Sequence, residues 1–152
     1  ETAERHWKNI EGGETWKDVR QSIVDLLSQE DSLRKVVMLI GPDALPEAQK
    51  LVLFTGSLIK EGFLQQVAFD STDSFCPPRK QLRLAETILR FHARAEAAVA
   101  RDIPVAAISS LEVVAEILRA KISIPNNEIG RFDSLDGAID TAFSALEDRH
   151  AT

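Results

Sequence analysis

Apolar residues recur at intervals of three and four positions along most of this chain, and this helical period is the feature that most constrains its fold. The sequence has no alternating run of β-branched and aromatic residues bounded on both sides by hairpin turns. The period is interrupted where proline and glycine occur together, so the chain divides into separate helices. We therefore predict an all-α fold, a helical bundle of five to six helices.

The breaks in the period place the predicted helices along the chain. The first helix is predicted over about Trp16 to Gln29, and its apolar period continues through Val36, Val37 and Ile40 to Gly41-Pro42, where the chain must turn. The other predicted segments are about 46–64, a longest helix from Pro77-Pro78 to near Arg101-Asp102, a short helix from Pro104 to Ile108, a helix over 111–118, and a last helix that follows Pro125-Asn126-Asn127.

Small polar residues precede several of these segments and are typical of helix N-caps. We expect caps at Thr15, at Ser109 or Ser110, and at Asp133 or Ser134. Two glycines, Gly56 and Gly62, lie inside the second predicted helix, where glycine is about 0.8–1.0 kcal/mol less favourable than alanine. Either close packing or function must explain why they are kept.

The composition indicates one globular domain and excludes several kinds of partner. The 152 residues carry a formal net charge of -6, with acidic and basic residues interleaved, so no basic stripe is present for nucleic acid. No apolar run approaches the roughly 18 residues that suggest a membrane span, and the polar start is unlike a signal peptide. The single cysteine, Cys76, fits a reducing compartment. We expect a soluble, intracellular domain without direct membrane insertion.

The start of the chain is polar and lacks helical periodicity. Residue 1 is Glu rather than Met. We expect residues 1–14 to be a connecting segment from a preceding domain and residues 15–152 to form the helical bundle.

Catalytic and metal-binding patterns are missing from the sequence. A phosphate-binding loop of the form G-x-x-x-x-G-K-[ST] does not occur, and Gly12-Gly13 is better explained as a turn. His6, His92 and His150 lie far apart, so a zinc site is not expected, and we predict that His92 is packed or solvated. Cys76 is expected to be inert, although the helix that follows could lower its pKa.

The carboxylates alternate with basic residues along the helices. A spacing such as Glu86 to Arg90 predicts an ion pair on a solvent-exposed face. Paired acid and base roles cannot be assigned, so we predict no catalytic residues and no metal ligands.

Three strings of residues resemble one family. The chain reads Leu-Ile-Gly-Pro-Asp-Ala-Leu over 39–45, Phe-Leu-Gln-Gln-Val-Ala-Phe-Asp over 63–70, and Trp-Lys-Asn-Ile with Gly-Gly-Glu-Thr-Trp over 7–16. In order and separation they resemble the C-terminal domain of the catalytic A subunit of V/A-type rotary ATPases. The resemblance extends from Trp7 to about Ile108 and weakens towards the carboxyl end.

This resemblance implies a helical bundle beneath a nucleotide-binding domain that lies earlier in the chain and carries the phosphate loop. The parent protein would bind ATP or ADP with magnesium, whereas the present chain alone would bind no cofactor and hydrolyse nothing. The implied partners are the non-catalytic B subunit, in an alternating hexameric ring, and the central-stalk rotor subunit. The implied location is the soluble, cytoplasmic head, peripheral to the membrane, of a pump or synthase that moves protons or sodium ions.

By position, the resemblance also implies a rotor contact. It falls on the turn between the first two helices, where fixed proline dihedrals suit a protruding lever. The predicted contact residues are Pro42, Asp43, Ala44, Leu45, Pro46 and Glu47. An ordinary helix connection is the alternative.

A second implied site borders the adenine of a nucleotide held by the preceding domain. The residues are Gln65, Gln66, Ala68 and Phe69. Phe69 could stack on the ring, or it could be an ordinary core residue. Val67 stands where the family is expected to have asparagine, and it lacks the amide that a polar role at that position would need.

Together these sites suggest that nucleotide binding moves the bundle through the 65–76 loop and that the 41–47 turn passes the motion to the rotor. The alternative function is a free-standing helical adaptor that binds a partner helix. The adaptor predicts a start codon close to Glu1, whereas the rotary hypothesis predicts several hundred upstream residues. The segment from Ile122 onward either packs on the bundle or contacts a neighbouring protein of the complex.

Overall fold

Six α-helices and no strand make up the part of the chain that the computed structural model describes, which is residues 13–64 and 78–151. The all-α prediction is confirmed. A 3-10 turn, Pro42–Ala44, joins the first two helices, and a π-helical turn, Lys60–Leu64, extends the second. The helices are α1 Gly13–Ile40, α2 Glu47–Ile59, α3 Pro78–Ala100, α4 Val105–Ser109, α5 Glu112–Ser123 and α6 Arg131–His150.

Helix α1 is longer than the sequence pattern suggested. It runs unbroken for 28 residues, whereas α3, predicted to be the longest helix, has 23. No proline or glycine occurs between Glu14 and Ile40, so nothing stops the first helix before Gly41.

The predicted N-caps are wrong where the structure describes them. The hydroxyls of Ser109 and Ser110 donate to the carbonyl oxygen of Ala106, at 3.1 and 2.8 Å, so they stay with the preceding helix. Helix α6 begins at Arg131, which places Asp133 and Ser134 inside it, and α1 begins two residues before Thr15. Helices α5 and α6 have no side-chain cap.

The core is organised around α3, which packs against α1, α2 and α6. Its Phe91 is fully buried between two aromatic rings, with centroid distances of 6.1 Å to Phe54 of α2 and 5.2 Å to Phe143 of α6. Burying a side chain of this size contributes about 1.5–3 kcal/mol relative to leaving it exposed. Other fully buried core residues are Leu51, Ile59, Ile88, Ile117, Phe132 and Ile139.

Ion pairs run along the interface between α3 and α6. The guanidinium of Arg83 contacts Asp136 at 2.9 Å, Arg90 contacts Asp140 at 2.7 Å, and Arg101 contacts Glu147 at 3.5 Å. From one pair to the next, the residue numbers increase on both helices, so α3 and α6 lie parallel. The hydrogen bond from Arg90 holds the pKa of Asp140 below its ordinary value.

The contacts of α3 and α6 correct one prediction and decide one alternative that the sequence left open. The predicted ion pair between Glu86 and Arg90 is wrong, because Arg90 instead contacts Asp140 of α6. Glu86 instead lies 3.9 Å from Arg83. The segment from Ile122 onward, which had two possible roles, packs on the bundle through α6, whose Phe132, Ile139 and Phe143 are fully buried.

The two interior glycines of the second predicted helix differ in what surrounds them. A Cβ at Gly56 would overlap Cγ of Glu30 and lie only 2.8 Å from its Cβ, so α1 and α2 can approach this closely only at glycine. A Cβ at Gly62 would meet nothing closer than 3.7 Å. Close packing therefore explains Gly56 and does not explain Gly62.

Candidate functional site

The turn that joins α1 to α2 has the form that its proline and glycine residues predict. The amide of Gly41 donates to the carbonyl of Val37 at 2.8 Å, and the φ of Gly41 is 83° with ψ at 157°, a conformation that is essentially restricted to glycine. Pro42 then starts the 3-10 turn, and Pro46 precedes α2. The backbone direction is thus fixed at both ends of the turn.

The six residues predicted to contact a rotor are not equally accessible. Pro42, Asp43, Ala44 and Pro46 are exposed and Glu47 is half-buried. Leu45 is only 6% exposed, and its amide donates to the carbonyl of Pro42 at 3.3 Å. Leu45 anchors the turn to the hairpin, while its neighbours face outward.

An apolar tip lies just before this turn. The tip consists of Met38, Leu39 and Ile40, whose exposed fractions are 86%, 85% and 56%. Large apolar side chains scattered singly on a surface are ordinary, but three in succession at the end of a projecting helix form a patch that suits a partner. The tip and the exposed residues Pro42, Asp43 and Ala44 lie together in the stretch 38–44, interrupted only by the half-buried Gly41.

The sequence did not single out this tip, because Val36 and Ile40 continue the apolar helical period of the preceding part of α1. Both are exposed, at 38% and 56%, whereas Val37 is half-buried. A signal was present, because five apolar residues in succession, 36–40, cover every side of a helix. Such a run in a helix packed on one side must expose part of itself.

The predicted adenine-side residues, Gln65, Gln66, Ala68 and Phe69, lie outside the described residues, as do Val67 and Cys76. The structure does describe both flanks of that segment. The π-helical turn Lys60–Leu64 precedes it, and α3 follows it.

The buried ion at the start of α3 was not singled out from the sequence. Lys80 is 3% exposed, and its ammonium donates to the carbonyl of Lys121 at 2.6 Å and to Oδ1 of Asn126 at 2.9 Å. These bonds connect the start of α3 to the end of α5 and to the asparagine that follows it. Lys80 thus holds the start of α3 and the end of α5 together.

His92 is packed, one of the two outcomes predicted for it. Its Nδ1 shares a hydrogen bond of 2.6 Å with Oγ1 of Thr55, which is fully buried. Burial lowers the pKa of His92 below its ordinary value, and the carboxylate of Glu96, 3.6 Å from Nε2, opposes that shift. The hydrogen bond between Thr55 and His92 therefore joins α2 to α3.

Two further properties concern residues 13–64 and 78–151. Within these ranges, side chains able to ligate a metal do not come together in groups of three or more. Within them, too, no helix combines the length and apolar character needed to cross a bilayer.

The geometry defines a class: a helical domain in which the exposed end of α1, residues 31–40, forms an arm with an apolar tip, in a chain without a phosphate-binding loop. Residues 5–108 match the family model described as the C-terminal domain of V and A type ATP synthase. The chain belongs to this family, as the resemblance implied.

The relatives identify the larger protein in which such domains occur. The A subunit of the A-type ATP synthase of Methanopyrus kandleri is 41% identical over 144 residues, which cover 94% of this chain and 24% of that protein. The corresponding A subunit of Saccharolobus solfataricus is 40% identical over 149 residues, 97% of this chain and 25% of that protein. The chain thus spans about a quarter of the length of these relatives, and the similarity includes most of the segment beyond Ile108.

Proposed function

We propose that this domain transmits force between a nucleotide-binding domain and the central rotor of a V/A-type ATP synthase, and that the apolar tip makes the rotor contact. The observation that carries the proposal is the exposure of Met38 and Leu39, 86% and 85%, at the end of a 28-residue helix. A single unbroken helix moves as a rigid rod, so its end follows any displacement of the bundle.

The contact surface would be wider than the predicted turn. Tip residues Met38, Leu39 and Ile40 supply apolar area, and methionine adapts to a partner surface that changes as it rotates. Asp43 adds a negative charge beside them. Because Leu45 is buried, it would not touch the rotor itself and would instead hold the turn in place.

The rest of the proposal concerns the parent protein. It would bind ATP or ADP with magnesium in its nucleotide-binding domain, alternate with non-catalytic B subunits in a ring, and belong to the peripheral head of the complex. Gln65, Gln66, Ala68 and Phe69 would border the adenine. The present chain alone would not hydrolyse ATP, since its sequence has no phosphate-binding loop.

The adaptor alternative would use the same tip to bind a partner helix. Family membership over residues 5–108 favours the rotary function, because the matching relatives are subunits of ATP synthases.

The experiment replaces the three tip residues with serine in a full-length catalytic chain that contains this domain and is assembled into its complex. Ile122→Ser is the matched control, since Ile122 is another exposed apolar residue, at 60%, and lies on α5. We expect the tip variant to lose torque and ion transport per ATP while its nucleotide affinity is unchanged, and the control to behave as wild type. Unchanged torque in the tip variant would refute the rotor contact.

A further inference from the structure

Glu30, near the middle of α1, is the one buried carboxylate among the described residues. It is 3% exposed, and a buried carboxylate is unfavourable unless it is paired. Its Oε1 lies 3.2 Å from Nε of Arg34, and its Oε2 lies 2.5 Å from Nζ of Lys60. The pair with Lys60 joins α1 to the turn that follows α2.

Gly56 shows that the hairpin is built around this contact. A Cβ there would overlap Cγ of Glu30 and lie 2.8 Å from its Cβ, so the stem of the glutamate passes directly over the backbone of α2. Glycine is a poor helix former, yet only glycine leaves this space. The close approach brings the Glu30 carboxylate within reach of Lys60, one turn further along.

Lys60 opens the π-helical turn Lys60–Leu64, which ends directly before the segment proposed to border adenine. Short π-helical turns inside longer helices occur frequently at functional sites. The other side of this turn packs on α5, with Gly62 close to Leu118 and to the carbonyl of Ile117. The turn therefore contacts α3 and α5, and the Lys60 pair is its charged connection to α1.

The two cations around Glu30 have unequal roles. Arg34 lies one turn further along α1 and is 61% exposed, so its pair stays within a single helix. Lys60 is 35% exposed and bridges two elements. If Lys60 moves away, Arg34 still neutralises the buried carboxylate, so the bridge can open without leaving Glu30 unpaired.

We propose that Glu30 and Lys60 are positioning residues that form a latch between the nucleotide-side turn and the rotor-side end of α1. This proposal rests on the proposed function. The latch lies about ten residues, roughly 15 Å of helix, from the apolar tip. With the latch closed, a displacement of the 60–64 turn is passed to α1 and so to the tip. With the latch open, the turn moves without the arm.

The test compares Lys60→Met with Arg34→Met in the assembled complex. Each variant removes one cation from Glu30, but only the first removes the bridge. Measurements are the rate of ATP hydrolysis and the number of ions transported per ATP. We expect Lys60→Met to reduce ions per ATP by roughly threefold to tenfold while hydrolysis continues, Arg34→Met to leave that ratio unchanged, and Lys60→Arg to restore it.

A merely structural ion pair would give a different result. It predicts that Lys60→Met and Arg34→Met lower the thermal stability of the complex alike and leave ions per ATP unchanged. That result overturns the latch. An assembled Lys60→Met complex that loses hydrolysis and transport in proportion also overturns it, because coupling would then be intact.

The tip variant described above separates failure of the latch from failure of the proposed function. If replacing the tip uncouples the complex and Lys60→Met does not, the latch is wrong and the rotor contact stands. If replacing the tip has no effect, the rotor contact is wrong, and the latch falls with it whatever Lys60→Met does.

Discussion

The body of this domain and its arm are held together differently. In the body, α3 lies between α2 and α6 with Phe91 fully buried between two aromatic rings, and arginine–carboxylate pairs flank the interface with α6. At the end of the arm, the last ten residues of α1 are mostly exposed, and Leu45 is a lone buried anchor of the turn. The body is thus held together by many buried contacts, whereas the apolar side chains at the end of the arm are exposed and suit contact with another protein.

This difference separates stability from function along the chain. Substitutions in the body should unfold the protein, while substitutions at the end of the arm should leave it folded and change what it binds. The predictions that follow test this separation, beginning with the largest effect.

Phe91→Ala should destabilise the chain by about 3–5 kcal/mol, because it removes a fully buried ring between two others. Leu39→Ala, at a side chain that is 85% exposed, should change the free energy of unfolding by no more than about 0.5 kcal/mol. Urea denaturation of both variants measures the two values. Similar losses for the two would show that the arm is part of the core.

Gly56→Ala should destabilise by about 1–3 kcal/mol, since the added methyl overlaps Glu30. Gly62→Ala is the control: its methyl meets only ordinary contacts, and it should be neutral or stabilising by up to about 1 kcal/mol. Thermal unfolding of the two variants measures this difference in stability. Equal stability would mean that α1 and α2 are less closely packed than the structure shows.

His92 should make the stability of the body depend on pH. Its folded pKa is lowered by burial, so its contribution is fully present above the unfolded pKa of about 6.5 and is lost as the pH falls below it. The loss from this one group cannot exceed about 1.4 kcal/mol per pH unit. Replacing His92 with Gln should flatten the unfolding free energy between pH 7 and 5, as measured in urea. An unchanged slope would show that another group titrates.

The Arg90–Asp140 pair should contribute least. Both side chains are partly exposed, at 50% and 35%, so a double-mutant cycle to alanine should give a coupling energy of about 0.2–1 kcal/mol that decreases in high salt. A coupling energy well above this range would make the ion pairs, rather than the aromatic core, the main bond between α3 and α6.

The sequence predicted the parts of this fold that depend on local rules. Gly41-Pro42 ended α1, and Pro78 and Pro104 lie at the starts of α3 and α4, because proline and glycine restrict the backbone wherever they stand. The N-caps at Ser109 and Asp133 failed because these side chains bond within their own helix or to a distant arginine. Such choices depend on neighbours that lie far away in sequence.

The sequence predicted where the candidate site lies but not all of the residues that form it. The turn at 42–47 followed from its residues and from the resemblance. The neighbouring tip was not singled out, since a helical period does not say where a helix leaves the bundle. The Glu30–Lys60 pair spans 30 positions and depends on Gly56, so no local pattern indicates it. Contacts between helices, such as that of Arg90 with Asp140, could not be predicted for the same reason, because the two residues lie far apart in sequence.

The most direct test of the rotor contact is a cross-link from the tip. Met38→Cys, in an otherwise cysteine-free catalytic chain within the assembled complex, is labelled with a photoreactive maleimide and illuminated; Ile122→Cys is the matched control. The rotor contact predicts that Met38→Cys yields a covalent product with the central stalk, identified by mass spectrometry, and that Ile122→Cys does not. Absence of that product from Met38→Cys, or its equal formation from both positions, would contradict the contact.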